Sequence, residues 1–194
     1  MTAIALRPPS RIVRPALILA GLAGIVGLRW AATVHATAGA VAIGLVFGLG
    51  LIAVGLASGW RPAPERRWAV AAGAAGGGVL VILAIVTRSD QLPWLAPPAA
   101  FGPWVVVTVL VASAEELVLR GALFDELHPS LGTAGAVLVT SVVFALMHVP
   151  LYGWHVVPLD LGVGLWLAGL RLATGGIVAP AIAHTIADLA TWWL

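Results

Sequence analysis

Apolar runs of roughly bilayer length recur along almost the whole chain, and they leave few folds open. They cover residues 16–28, 36–57, 68–87, 99–127, 132–148, 159–172 and 177–194, with polar or proline-bearing stretches between several of them. About 20 apolar residues are needed to span the hydrocarbon core as a helix. The expected fold is therefore all-α: a polytopic transmembrane helical bundle of about seven helices, with six to eight allowed by uncertain boundaries. The run 99–127 exceeds one plain span and is expected to tilt or to project near Asp125 and Glu126.

Composition agrees. The 194 residues are 61% hydrophobic and 9% charged, against roughly 25% charged in soluble domains. There is no cysteine, which removes disulfides and thiolate chemistry. All ten basic residues are arginines. They are dispersed at segment ends and form no single face, so nucleic acid is not an expected partner.

Charge also predicts sidedness. Arg7, Arg11 and Arg14 precede the first run, and Arg61, Arg66 and Arg67 occupy the loop two spans later. By the positive-inside rule that shared side is expected to be cytoplasmic, with Arg171 on it too. The loops holding Arg88, and Tyr152 with His155, then face outward. A basic stretch before an apolar run also fits a signal peptide, but the membrane-like remainder favours a retained first helix. Gly44 and Gly48 have the spacing of a close helix contact, and the third run is rich in glycine at Gly73 and Gly76 to Gly78. Trp94, Trp104, Trp154, Trp192 and Trp193 fall near segment ends, where interfacial aromatics sit.

A few polar residues lie inside the runs, where an ionisable group is costly and marks a functional candidate. Glu115, Glu116 and Arg120 share the fourth run. Glu116 and Arg120, four apart, meet on one helical face, while Glu115 is turned about 100° away. They form either an ionic latch between helices or part of a site. Phe144 and His148 have the same spacing in the fifth run, and His184 and Asp188 in the seventh. His148 could be an interfacial residue, and His184 with Asp188 a local hydrogen bond. Asp160 reads as a helix cap. Asp125, Glu126, His128 and His155 read as solvated loop residues, and His35 lies between the first two runs. At 1.5 Å per residue, Glu115 is about 24 Å from residue 99 and about 18 Å from residue 127, hence mid-membrane. His148 fits that depth less well, about 24 Å from residue 132. Two carboxylates and two imidazoles are the groups needed to activate a water for hydrolysis. They also form a plausible Zn²⁺ ligand set.

Taken in order, Glu115-Glu116-x-x-x-Arg120, Phe144-x-x-x-His148 and His184-x-x-x-Asp188 resemble the CPBP family of intramembrane proteases, also called the Abi or type II CAAX prenyl endopeptidase family. Arg120-Gly121-x-Leu123, and Thr174-Gly175-Gly176 followed by Pro180, look like the family too. The resemblance covers roughly residues 99–194. It implies one membrane domain over 1–194, with residues 16–98 as accessory helices and 99–194 as the catalytic core. It further implies an endopeptidase acting on a membrane-associated or prenylated-type protein or peptide, with lipid as its surroundings. Glu115 would be the general base, aided by His148, with His184 and Asp188 at the oxyanion. Glu116, Arg120 and Phe144 would hold the site together. Many members carry asparagine where Asp188 stands. A carboxylate there is either protonated or serves only to orient His184. A metal version would use Glu115, His148, His184 and Asp188 around Zn²⁺, although the metal-free reading is preferred. The setting expected is a bacterial cytoplasmic membrane, with the N-terminus cytoplasmic.

Two other classes fit the same residues. A non-catalytic immunity or scaffold protein would keep the bundle without the chemistry. A proton relay would also place Glu, His and Asp in the membrane, but no duplicated half or paired broken helix is evident.

Overall fold

The computed structural model describes residues 13–36, 38–87 and 100–193, and every regular element among them is helical. Helices α1 (Val13–Val34), α2 (Ala40–Ala57) and α3 (Ala69–Thr87) come first. Helix α4 (Phe101–Glu116) passes directly into a π-helical segment, Leu117–Leu123, and that into α5 (Phe124–Tyr152). A short 3-10 turn, Trp154–Val156, leads to α6 (Val157–Thr174), and α7 (Val178–Ala190) follows. Among the described residues, five helical runs are long and apolar enough to cross a membrane; the longest, Phe101–Tyr152, contains α4, the π-helical segment and α5. In hydrocarbon, every backbone polar group must be paired internally, which helices achieve.

Burial runs opposite to a soluble protein. Large apolar side chains such as Leu17, Ile82, Val86 and Val106 are exposed, whereas Glu115, Glu116, Arg120, Thr140, Ser141 and His184 are buried. The outside is thus fit for lipid tails, and the polar chemistry is enclosed.

Small residues set the helix seams. Gly44 and Gly48 lie against Val107 and Leu110, so the spacing seen in the sequence serves the packing of α2 on α4. A Cβ on Gly73 would stand 2.7 Å from the Ala179 carbonyl oxygen, and one on Gly77 2.7 Å from Ile186 Cβ. Helix α3 therefore seats α7 at backbone distance. At one end of the bundle Phe101, Trp104, Trp192 and Trp193 cluster, with ring centroids 4.8–5.9 Å apart, tying the start of α4 to the end of α7.

The opposite end is polar. Arg14 meets Glu126 at 3.4 Å. Trp60 Nε1 and Arg171 Nη2 both donate to Asp125, each at 2.8 Å. The Val178 amide donates to both carboxylate oxygens of Glu65, and the Arg66 amide to the Thr174 carbonyl. Arg14, the Trp60–Arg66 stretch and Arg171 consequently share one end, as their spacing along the chain predicts.

Several boundaries differ from the sequence reading. The fourth run is not one helix to residue 127: α4 stops at Glu116, and α5 begins at Phe124 and continues through Asp125 and Glu126. The expected start at residue 132 is a kink, where Gly132 adopts φ 68°, a conformation open to glycine. Helix α7 ends at Ala190 and is followed by a turn. Asp125, Glu126 and His128 are helical rather than loop residues, and each has a side-chain partner. Arg7, Arg11, Arg88 and Trp94 lie outside the described residues.

Candidate active site

The site begins at the junction where α4 becomes π-helical. Glu115 and Glu116 are the last residues of α4, and Arg120 lies inside the π-helical segment. Such wide turns recur at functional sites. Two outside groups brace this one. Arg171 Nε, from α6, donates to the Arg120 carbonyl at 2.8 Å. The Trp60 ring covers Gly121, where a Cβ would come within 3.0 Å of it.

Glu116 and Arg120 are both 0% exposed, and Arg120 Nη1 donates to Glu116 Oε1 at 2.7 Å. Arg120 Nη2 donates to the Gly164 carbonyl of α6 at 3.0 Å. Its guanidinium carbon also lies 4.8 Å from the centre of the Phe144 ring, a cation–π distance. One arginine thereby ties the π-helical segment to α4, α5 and α6.

His184 joins the same knot. Its Nδ1 lies 3.0 Å from Glu116 Oε1. A carboxylate paired with Arg120 is an acceptor, so this Nδ1 carries the proton and Nε2 points away from the pair. Nε2 stands 3.8 Å from Glu115 Oε2 and 3.5 Å from Asp188 Oδ2. His184 is therefore oriented chiefly by Glu116, across helices, rather than by its neighbour Asp188. The Asp188 side chain is 43% exposed and opens to the cavity.

His148 is set by α5 itself. Its Nδ1 donates to the Phe144 carbonyl at 2.9 Å, which leaves Nε2 of the neutral ring as the acceptor. The same Nδ1 lies 3.4 Å from Asp160 Oδ2 of α6. The Phe144 ring separates the two imidazoles, with centroids 4.8 Å from His148 and 5.3 Å from His184, edge-on to both.

All four candidate reacting groups, Glu115, His148, His184 and Asp188, line one cavity of about 590 Å³, as does Phe144. Glu116 and Arg120 lie behind its wall. The cavity lies toward the end of the bundle opposite the arginine-rich one. Arg29, Trp104, Tyr152 and Asp160 also line it.

Three of these were not recognised from sequence. Asp160 does not cap α6, whose N-cap is Val156; its carboxylate faces His148 instead. Arg29 and Tyr152 carry no local motif, and only the convergence of α1 and α5 on the cavity brings them in.

Among the described residues, no three His, Asp or Glu side chains are grouped closely enough to hold a metal ion. The donor types suit Zn²⁺, but their spacing does not, and no step below is routed through a metal.

Residues 97–190 match the model of a family described as type II CAAX prenyl endopeptidase Rce1-like. The match takes in α4 to α7 and leaves α1 to α3 outside it. No curated protein and no solved structure matches the chain.

Proposed function

The chain belongs, through residues 97–190, to the type II CAAX prenyl endopeptidase Rce1-like family, and on that premise we propose that it is an intramembrane endopeptidase of the glutamate type. The family is one of CAAX-type intramembrane proteases, and the helices make this an integral membrane protein. The observation that carries the finer reading is the position of Glu115: 2% exposed, on the cavity wall, its Oε2 3.8 Å from His184 Nε2.

The mechanism follows from which atoms are already engaged. Glu115 is outside the Glu116–Arg120 pair and serves as general base. It takes a proton from a water whose oxygen forms a bond to the peptide carbonyl carbon. His148, with its Nδ1 proton committed to Phe144, offers Nε2 as a second acceptor to orient that water. The carbonyl π electrons move to oxygen. His184, when doubly protonated, donates from Nε2 to that oxyanion. The tetrahedral intermediate collapses by breaking the C–N bond, and the proton held by Glu115 passes to the leaving amine. Glu116 and Arg120 hold His184 and the π-helical segment in register. Glu116 sets the His184 ring through Nδ1, and Asp188, 3.5 Å from Nε2, flanks it without itself meeting the oxyanion.

The substrate class is a membrane-associated or prenylated-type protein or peptide, entering the cavity from the lipid or its open end. One membrane domain carries the activity, with 16–98 as accessory helices. The arginine-rich end is cytoplasmic by the positive-inside rule, as is the N-terminus, in what is a bacterial cytoplasmic membrane. A zinc version, with Glu115, His148, His184 and Asp188 as ligands, would require these side chains to close on one point.

The test is cleavage of an S-farnesylated CAAX-type peptide by purified protein in liposomes. Wild type cleaves, and Glu115→Gln does not while unfolding at the same temperature. Retained cleavage by Glu115→Gln removes Glu115 as the base. A Glu115→Gln variant that keeps a biological effect in cells would favour an immunity or scaffold role.

A further inference from the structure

One wall of the cavity comes from outside the family segment. Arg29 of α1 lines it, and α1 lies beyond residues 97–190. The Arg29 guanidinium sits over the ring of Phe47 in α2, 4.4 Å from the centroid, and Phe47 is buried. A cation on a buried aromatic face is fixed by the ring quadrupole, so Arg29 is a held group rather than a side chain trailing toward water.

Among the described residues its charge has no carboxylate partner. Arg14, Arg120 and Arg171 each pair with one. Arg29 makes no ion pair among the described residues, although Glu115, Asp160 and Asp188 line the same cavity. It is nonetheless near enough for its charge to act on Glu115 and Asp188. Among the described residues it is the only arginine or lysine in the lining. An arginine that lines a membrane cavity with no ion pair among the described residues is costly and is a functional-site candidate.

We infer that Arg29 is a specificity determinant that binds a carboxylate of the substrate peptide. Glu115, Asp160 and Asp188 repel a carboxylate over much of this cavity, and with His184 committed to the reacting carbonyl, Arg29 is the described lining residue left to seat one. The guanidinium fork suits a two-point contact with it. Seating it there fixes which peptide bond reaches Glu115. The carboxylate is either the C-terminal one or that of an Asp or Glu beside the cleaved bond. The inference rests on the endopeptidase reading and assigns to α1 and α2 a role in choosing the substrate.

The experiment uses one S-farnesylated CAAX-type peptide in three forms: free C-terminus, C-terminal amide, and amide with aspartate beside the cleaved bond. Wild type, Arg29→Gln and Arg29→Lys are compared in liposomes for cleavage and for binding. Wild type should favour one charged form over the plain amide about ten-fold or more, in KM. Which charged form wins identifies the source of the carboxylate. Arg29→Gln should treat the three alike, and Arg29→Lys should keep part of the preference. A preference that survives Arg29→Gln, or an equal loss on all three forms, overturns the inference. So does a preference of wild type over Arg29→Gln for anionic vesicles with none among the peptides, which would assign Arg29 to a lipid phosphate. Arg29-dependent binding of a charged form without cleavage keeps the inference and sinks the endopeptidase reading. Cleavage with no Arg29 dependence does the reverse. Neither binding nor cleavage of any form by wild type sinks both.

Discussion

Nδ1 of His184 faces Oε1 of Glu116 at 3.0 Å, although Asp188 stands one turn further along its own helix. Arg120 donates to that same oxygen. A single carboxylate oxygen thus joins α4, the π-helical segment and α7. Glu116→Ala would strand a buried guanidinium charge, which costs about 3–5 kcal/mol. The expected outcome is a large fall in unfolding temperature in detergent. Glu116→Gln retains an acceptor oxygen and should lose less. An unchanged unfolding temperature in Glu116→Ala would show that the pair does not hold the bundle.

Asp160 is expected to act through His148. Its carboxylate lies 3.4 Å from the Nδ1 that donates to the Phe144 carbonyl, and it favours the tautomer with Nε2 free. Asp160→Asn should lower kcat about ten-fold, the scale of one charge-assisted hydrogen bond, with KM and unfolding temperature little changed. Asp160→Glu should recover part of the rate. A change confined to stability would make Asp160 a structural residue only.

Chelation separates the two hydrolytic readings. Prolonged dialysis against a strong chelator should leave peptide cleavage unchanged if Glu115 works without a metal. Activity lost on dialysis and restored by Zn²⁺, but not by Mg²⁺, would transfer the mechanism to a metal held by Glu115, His148, His184 and Asp188.

Sidedness can be read with single cysteines, because the chain has none of its own. Ala38 lines the cavity, while Glu65 lies at the arginine-rich end. In intact cells, a membrane-impermeant maleimide should label Ala38→Cys and spare Glu65→Cys until the membrane is opened. The reverse pattern would invert the orientation that the arginines suggest.

Much of this fold is legible in the sequence because lipid imposes a simple rule: long apolar runs become helices. The local spacings were readable too, since Glu116 and Arg120 meet whatever surrounds them. The partner of His184 was not, because Asp188 is near in sequence while Glu116 is 68 residues away. The π-helical segment has no composition of its own; Gly121 under Trp60 and the Arg171 bond to the Arg120 carbonyl are contacts between distant elements. Asp160 resembles a cap because carboxylates favour first turns, and its neighbour in space comes from α5. Arg29 resembles any arginine near the end of a span, until Phe47 is seen beneath it.

The strip of α3 bearing Gly73 and Gly77 offers α7 almost bare backbone to lie on. The helix that carries His184 is thereby set by a surface outside the segment with recognisable chemistry. That segment is not a portable cassette. A chimera that grafts residues 97–190 onto foreign helices would have to reproduce that bare strip first, or the imidazole would be delivered to the wrong place.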